Sequence, residues 1–263
     1  MNAPDRLQPF RLPQGGRIDR GTPLGFSFNG DPMTGYAGDT LASALLANGR
    51  AFVARSYKYH RPRGVVAHGS EDPNALVRLR GNGGRTDPNT RATVVELHEG
   101  LNAVSQNHWP SLAFDVGAVN DVLAPLLSAG FYNKTFMWPA PFWKKVYEPA
   151  IRAATGLGRS PEGPDPDRYQ HRHAHCDVLI AGGGPAGLAA ALAASACGAR
   201  VMLADEQPAW GGSLLHDPVA EIDGNRAGAW VDEVIATLRA HELLNLLRID
   251  RGARAIQKFV RVK

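Results

Sequence analysis

The chain has 263 residues, of which 44% are hydrophobic and 21% charged, with a formal net charge of +4. This composition is ordinary for a soluble globular protein with room for two domains, and the modest charge argues against a nucleic-acid-binding protein. Two cysteines exclude a disulfide framework, and the N-terminus lacks the apolar core of a secretory signal. We therefore expect a cytoplasmic protein.

The N-terminal residues predict a small α+β domain. Short strands are expected at 17–19 and 24–28, followed by a turn at 35–38. A helix is predicted from Thr40 to Asn48, with Asp39 as its N-cap and Gly49 closing it. Further strands are expected at 75–79 and 93–97. This order of elements indicates a β-grasp domain over residues 1–100.

The segment RSYKYHRPRG at 55–64 interleaves tyrosines with basic residues. Tyrosines in such a segment can stack on bases, and its basic side chains can contact phosphates. No recognisable nucleic-acid-binding module surrounds the segment, so a solvated loop is favoured over a nucleic-acid site. Arg61 and Arg63 flank a stiff proline, and their guanidinium groups suit carboxylate or phosphate. We predict that both contact an anionic cofactor group or a partner subunit.

Residues 101–168 are predicted to form an arm and a linker. A helix is expected at 119–129, kinked or started near Pro125, followed by an irregular stretch rich in aromatic residues and proline. Residues 156–167 are rich in glycine and proline, which places a domain boundary near residue 168. His171, His173, His175 and Cys176 follow, but alternate residues of one extended segment rarely supply three tetrahedral ligands, so no metal site is predicted.

Residues 169–263 predict a partial dinucleotide-binding domain of the Rossmann type. A buried strand at 178–181 precedes a helix at 186–197, and a second strand follows at 200–204. Between the first strand and the helix, Gly182, Gly184 and Gly187 have the G-x-G-x-x-G spacing. Residues 178–199 are also uncharged and long enough to cross a bilayer, but the glycines and the proline fit a turn better, so no membrane span is predicted.

Each residue type in this unit has a role in binding a diphosphate. The glycines allow a tight turn, a close approach of the phosphates and close packing of helix on strand. Pro185 and Ala186 open the helix, whose first amides point at the anion. Asp205 and Glu206 follow the second strand, where a carboxylate accepts from a ribose hydroxyl and repels a 2′-phosphate. NAD or FAD is therefore favoured over NADP, and the pattern does not distinguish the two.

Four segments resemble the N-terminal part of the alpha subunits of heterotetrameric sarcosine oxidase. The similarity runs from about residue 16 to about residue 238, and it is carried by NGDPMTGYAGDTLASALLANG, RSYKYHRPRG, FYNKTFMWP with FWKKVYEPAIRAATGLG, and CDVLIAGGGPAGLAAALAASACGARVMLADEQPAWGG. Subunits of opine-type oxidases and hydrogen cyanide synthase share the layout. The resemblance implies a ferredoxin-like first domain, but no cysteine precedes Cys176 to hold an iron-sulfur cluster.

The resemblance also implies the cofactors, partners and reaction. The nucleotide domain of these alpha subunits binds NAD, FAD belongs to the beta subunit, FMN lies between the two, and gamma and delta subunits complete the complex. The complex oxidises sarcosine with oxygen to glycine and hydrogen peroxide, and passes the one-carbon unit to tetrahydrofolate. The positions that match the family's nucleotide site are Gly182, Gly184, Pro185, Ala186, Gly187, Asp205, Glu206, Gly211 and Gly212. None of them is a catalytic acid, base or nucleophile.

The end of the chain departs from the family. After His241 a further strand is expected, but the sequence continues as LRIDRGARAIQKFVRVK, a basic run with weak periodicity, whereas the alpha subunits continue into a folate-binding half. We interpret the chain as a truncated portion, expect no folate binding, and expect it to be inactive alone. The alternative hypothesis is a non-catalytic assembly module, because no acid–base pair or nucleophile is evident.

Overall fold

The computed structural model describes residues 8–248, except residues 82–83, 126, 128, 135, 155–157, 159–172, 208, 218 and 242–243. Two compact units are present, one within residues 1–166 and the other within residues 167–263. Residues 249–263 of the basic run at 247–263, and His171, lie outside the described residues.

The first unit is built on a five-stranded mixed sheet. Its elements begin with β1 (Asp19–Phe28), β2 (Asp31–Ala37), α1 (Leu41–Ala47), β3 (Ala54–Arg55), β4 (Pro62–Arg63), β5 (Leu76–Arg80), β6 (Thr86–Arg91) and β7 (Leu101–Ser105). The strand order is β2-β1-β7-β5-β6, with β1 parallel to β7 and every other neighbouring pair antiparallel. β3 and β4 form a two-stranded sheet of their own. Leu41 and Leu45 of α1 pack on Phe26, Phe28 and Val77 of the large sheet, so the predicted α+β architecture is confirmed.

The first sheet extends beyond residue 100, where the sequence placed the end of this domain. β7 lies at the centre of the sheet, between β1 and β5. The predicted strands at 17–19 and 24–28 are one continuous strand, β1. The predicted turn at 35–38 is wrong for residues 35–37, which belong to β2. A side chain at Gly35 would overlap Leu97, so the packing at this point of β2 requires glycine.

The start of α1 and the segment at 93–97 also differ from prediction. Thr40, and not Asp39, is the N-cap: its hydroxyl accepts from the Ser43 amide, and Ser43 bonds back to the Thr40 amide. Asp39 instead forms a buried ion pair with Arg11. Residues 93–97 do not form the predicted strand. A 3₁₀ turn covers Ala92–Val94, and Glu96 makes an isolated antiparallel bridge with Thr40, with Leu41 N donating to Val95 O over 2.8 Å.

Residues 116–154 contain short helical segments. They are α2 (Val119–Val122), α3 (Phe131–Lys134), a π-helical turn (Trp143–Tyr147) and α4 (Glu148–Ala154). The predicted helix at 119–129 ends early, because Pro125 has no N–H with which to continue it. The aromatic stretch predicted as irregular is helical at Phe131–Lys134 and again from Trp143.

The second unit is a parallel sheet with two helices. Its elements are β8 (Val178–Ala181), α5 (Pro185–Ala196), β9 (Val201–Asp205), β10 (Glu221–Ile222), β11 (Asn225–Arg226), α6 (Ala227–Ala240) and β12 (Leu244–Arg248). The strand order is β12-β9-β8, and both pairings are parallel. β12 is the further strand expected after His241. Leu188 of α5 and Leu238 of α6 share a core with Leu203 of β9.

Asp72 is a buried acid of the first unit whose carboxylate bonds to backbone amides. Its side chain is fully buried and accepts four backbone N–H groups, from Val66 and Ala67 on one oxygen and from Asn74 and Ala75 on the other, over 2.7–3.0 Å. Burial by itself raises the pKa of Asp72, but the four donors outweigh it and lower the pKa below its ordinary value. The ionised carboxylate therefore joins two loops to the start of β5.

We predict that Asp72→Asn lowers the free energy of unfolding at pH 7 by about 2 kcal/mol or more, because the amide turns a donor toward backbone donors. Urea denaturation followed by far-UV circular dichroism measures the loss. A carboxyl whose pKa is depressed by folding stabilises the native state above its unfolded pKa, and that contribution disappears as the pH falls through the folded pKa. The difference between the two proteins should therefore shrink below about pH 4.

Asp31→Asn is the matched control. Asp31 is 59% exposed and pairs only with Arg50, over 2.7 Å, so its loss should change stability by less than about 0.5 kcal/mol. Equal losses in the two variants, or a difference independent of pH, would contradict the role assigned to Asp72.

Candidate functional site

The turn between β8 and α5 contains the predicted glycine motif, and the structure requires glycine at two of its three positions. Gly182 has φ of +110°, a conformation that side chains rarely adopt. A side chain at Gly187 would overlap the carbonyl oxygen of Gly182, so this glycine allows α5 to pack closely on β8. Gly184 has φ of −73°, and the protein atom nearest to an added Cβ, Gly212 Cα, is 3.9 Å away. The protein itself therefore tolerates a side chain at Gly184.

The helix that follows opens without a side-chain cap. Gly184 is its N-cap and makes no side-chain cap bond, and Pro185 occupies the first turn. Ala186 is exposed at the same end. The first amides of a helix have no partner within the helix, and its dipole places partial positive charge there. This end of α5 can therefore receive an anion.

Asp205, at the end of β9, lies against the glycine turn. One carboxylate oxygen accepts a hydrogen bond from the Gly183 amide, and the other accepts one from the Gln207 amide over 2.6 Å. A carboxylate has about four acceptor positions, so these two bonds leave room for a hydroxyl donor. Glu206 is exposed to solvent. The two predicted acids therefore differ, because Asp205 is fixed beside the turn and Glu206 is on the surface.

The chain after β9 returns to the glycine turn. The Gly211 amide donates to the Gly183 carbonyl over 2.9 Å, and a Cβ added at Gly212 would lie 2.8 Å from Gly184 Cα. Trp210 is buried beside Gly183, where any side chain would overlap its ring. Sequence reasoning missed Gly183, although the run of three consecutive glycines was a signal for it.

Together these residues can bind the diphosphate and ribose of a dinucleotide. The structure brings the glycine turn, the opening of α5, Asp205 and the glycines after Trp210 to one end of the parallel sheet. An open face at Gly184, helix amides and a fixed carboxylate are the groups that an adenosine diphosphate moiety needs. The residues present therefore fit a bound NAD or FAD.

The basic segment of the first unit is largely engaged within that unit. Arg61 pairs with Asp121 over 2.6 Å and stacks on Tyr59. Arg55, which is nearly buried, donates to the carbonyls of Leu112 and His60. Arg63 is exposed on β4. The predicted contact of Arg61 with a cofactor or partner thus competes with an internal ion pair, whereas Arg63 stays available.

The described residues contain neither a metal-binding cluster nor a membrane-spanning helix. No three histidine, cysteine or acidic side chains come close enough to hold a metal ion there. In the same part of the chain no helix combines the length and the apolar character that a membrane crossing requires.

Comparison with protein families gives two matches. The family described as 2Fe-2S iron-sulfur cluster binding domain matches residues 21–108, and the family described as FAD dependent oxidoreductase matches residues 177–260. No cysteine occurs within residues 21–108. Such clusters are held by cysteine thiolates, so the residues of this domain do not fit a cluster although its sequence resembles the family.

A solved structure supports the fold. The crystal structure of L-proline dehydrogenase from P. horikoshii superposes with a TM-score of 0.50 and 19% sequence identity, and the match covers 89% of this chain and 36% of that one. At this level of identity the likeness concerns the fold alone.

Two relatives carry the family assignment. Sarcosine oxidase subunit alpha of Rhizobium meliloti (strain 1021) is 58% identical over 89% of this chain and 24% of its own length. Sarcosine oxidase subunit alpha of Corynebacterium sp. (strain U-96) is 36% identical over 92% of this chain and 20% of its own length. The chain thus spans about a quarter of the length of the relatives it matches. On this similarity, which includes both the ferredoxin-like sheet and the glycine turn, the chain belongs to the family of sarcosine oxidase alpha subunits.

Proposed function

We propose that the second unit binds the adenosine diphosphate half of a dinucleotide, as part of an oxidoreductase of the sarcosine oxidase type. The observation that carries the proposal is Gly184. Its φ is ordinary and no protein atom lies within 3.9 Å of an added Cβ, so neither conformation nor packing requires glycine there. The approach of a diphosphate to the backbone does require it.

The identity of the dinucleotide is open to direct measurement. The resemblance to sarcosine oxidase alpha subunits favours NAD, and the match to FAD dependent oxidoreductases over residues 177–260 favours FAD. In this proposal the residues at the site would contact only the half that NAD and FAD share. Titration of the purified chain with each, followed by the change in flavin fluorescence for FAD and by calorimetry for NAD, distinguishes them.

In the complete enzyme, this chain would serve as a binding and assembly part of its subunit. The relatives are named sarcosine oxidase subunit alpha, which supports an assembly of several subunits acting on the CH–NH group of sarcosine. In this proposal FAD and FMN of the complex supply the oxidation, with glycine, peroxide and a one-carbon unit for tetrahydrofolate as products. None of the residues of this chain is proposed to be catalytic.

We predict that Gly184→Ala weakens dinucleotide binding at least tenfold, about 1.4 kcal/mol, while the chain stays folded. The added methyl group meets no protein atom within 3.9 Å, so it obstructs only the ligand. Calorimetric titration with NAD and FAD measures affinity, and thermal melting measures folding.

Gly228→Ala is the matched control. Gly228 lies in α6, and an added Cβ there has no neighbour within 4 Å, so this variant should bind normally and be stabilised by up to about 1 kcal/mol. If Gly184→Ala binds as tightly as Gly228→Ala, the assignment of Gly184 to the diphosphate is wrong. A folded wild-type chain that binds neither nucleotide would instead favour the assembly-module hypothesis.

We predict that substitutions of Asp205 and Glu206 weaken nucleotide binding to different extents. Asp205→Asn should weaken binding at least tenfold, because it removes a carboxylate that two amides fix beside the glycine turn. Glu206→Gln removes the same charge from an exposed position and should change affinity less than threefold, about 0.6 kcal/mol. Both variants are titrated with the nucleotide that the wild-type chain binds; equal losses would show that charge near the site matters more than the position of Asp205.

A further inference from the structure

The face of the first sheet that lies away from α1 is polar. Side chains alternate along a strand, and on β5 Val77 and Leu79 pack in or against the core with α1. Arg78 and Arg80 therefore lie on the opposite face. Their partners across the ladder on β7 are Val104 and Asn102.

This face forms part of a cleft within the first unit. The cleft has a volume of about 1580 Å³, and its lining includes Arg78, Arg80, the loop at 105–117 and residues of α4. Small-molecule sites typically occupy about 300–1,000 Å³, so the cleft can hold such a ligand together with its water.

The acidic groups of the cleft are already paired. Asp115 accepts from the amides of Trp109 and Gly117 and lies 2.6 Å from His60 Nδ1. Glu148 accepts from Arg152 Nε over 2.8 Å. Burial by itself raises the pKa of Asp115, but its donors lower it below the ordinary value, which keeps this carboxylate ionised and engaged.

The two arginines of β5 are not paired. Among the described residues neither Arg78 nor Arg80 has a hydrogen bond or an ion pair through its side chain. Arg78 is half-buried and its Nε is completely buried without a partner. Arg80 is exposed. Because the acids of the cleft are paired with other groups, the two arginines give this part of the cleft unbalanced positive charge among the described residues.

Two further buried polar atoms of the cleft have no partner. Asn107, which is 7% exposed, donates to the Arg55 carbonyl, but its Oδ1 is unsatisfied. His108 bonds through Nε2 to Ser105 Oγ over 2.7 Å, and its Nδ1 is unsatisfied. Burial lowers the pKa of His108, so its ring is neutral at pH 7 and the positive charge comes from the arginines. Unsatisfied buried groups are uncommon in folded proteins, and three of them border one cleft.

We propose that this cleft is a binding site for a small oxyanion-bearing ligand, whose carboxylate or phosphate group is held by Arg78 and Arg80. The chemistry shared by the two groups is a pair of oxygens that matches the donor fork of a guanidinium. The proposal is independent of the dinucleotide site, since every residue on which it rests belongs to the first unit.

The test is calorimetric titration of the full chain with inorganic phosphate and, separately, with succinate. We expect one of them to bind with a dissociation constant in the millimolar range or tighter. Arg80→Gln, at an exposed position, should weaken that binding at least fivefold, and Arg78→Gln at least as much. Tighter binding of phosphate assigns a phosphate ligand, and tighter binding of succinate assigns a carboxylate ligand.

Two control variants test whether the anion binds in the cleft. Arg17→Gln removes the same charge from an exposed residue that does not line the cleft, and should leave the affinity within twofold of the unmodified chain. Gly184→Ala should also leave it unchanged, because phosphate held at the opening of α5 would be sensitive to that variant. Binding that survives Arg80→Gln, that is lost in Gly184→Ala, or that is absent for both anions overturns the proposal.

Discussion

The second unit depends on the close packing of α5 on β8. A side chain at Gly187 would overlap the Gly182 carbonyl, so the helix can reach its position on the strand only if residue 187 has none. Its approach places Leu188 in a core with Val201 and Leu203 of β9, and it fixes the direction of the helix opening relative to the carboxyl end of the strand. The position of the helix opening, at which we propose that the diphosphate binds, therefore follows from a packing constraint.

Sequence reasoning was most accurate where local chemistry decides the structure. The strand at 178–181, the start of α5 and the second strand were predicted to within about one residue, because an apolar run, a positive-φ glycine and a helix-opening proline all act locally. It was least accurate where contacts between residues far apart in the sequence decide the structure. Residues 35–37 continue β2 through its pairing with β1, and Leu97 packs against Gly35. Residues 93–97 form a 3₁₀ turn and an isolated bridge to Thr40 in place of the predicted strand.

The two candidate sites, the glycine turn of the second unit and the cleft of the first, also differ in how far the sequence predicts them. The glycine turn and Asp205 lie within one βαβ unit, so their spacing in the sequence predicts their meeting in space. The cleft of the first unit joins Arg78, Asn107 and Arg152, which no sequence spacing relates, and it exists only because the loop after β7 and α4 fold beside the sheet. Likewise the ferredoxin-like fold was predictable, while the engagement of Arg55 with the loop at 112–113 was not.

The amides that hold Asp205 belong to two different segments, the turn before α5 and the loop after β9. The carboxylate is thus oriented without a ligand. In the proposed site a sugar hydroxyl would meet a rigid acceptor, and little side-chain entropy would be lost on association. Through the same two hydrogen bonds, Asp205 links the turn before α5 to the loop after β9. A substitution that lengthened or neutralised the Asp205 side chain would therefore loosen both of these segments, which border the proposed nucleotide site.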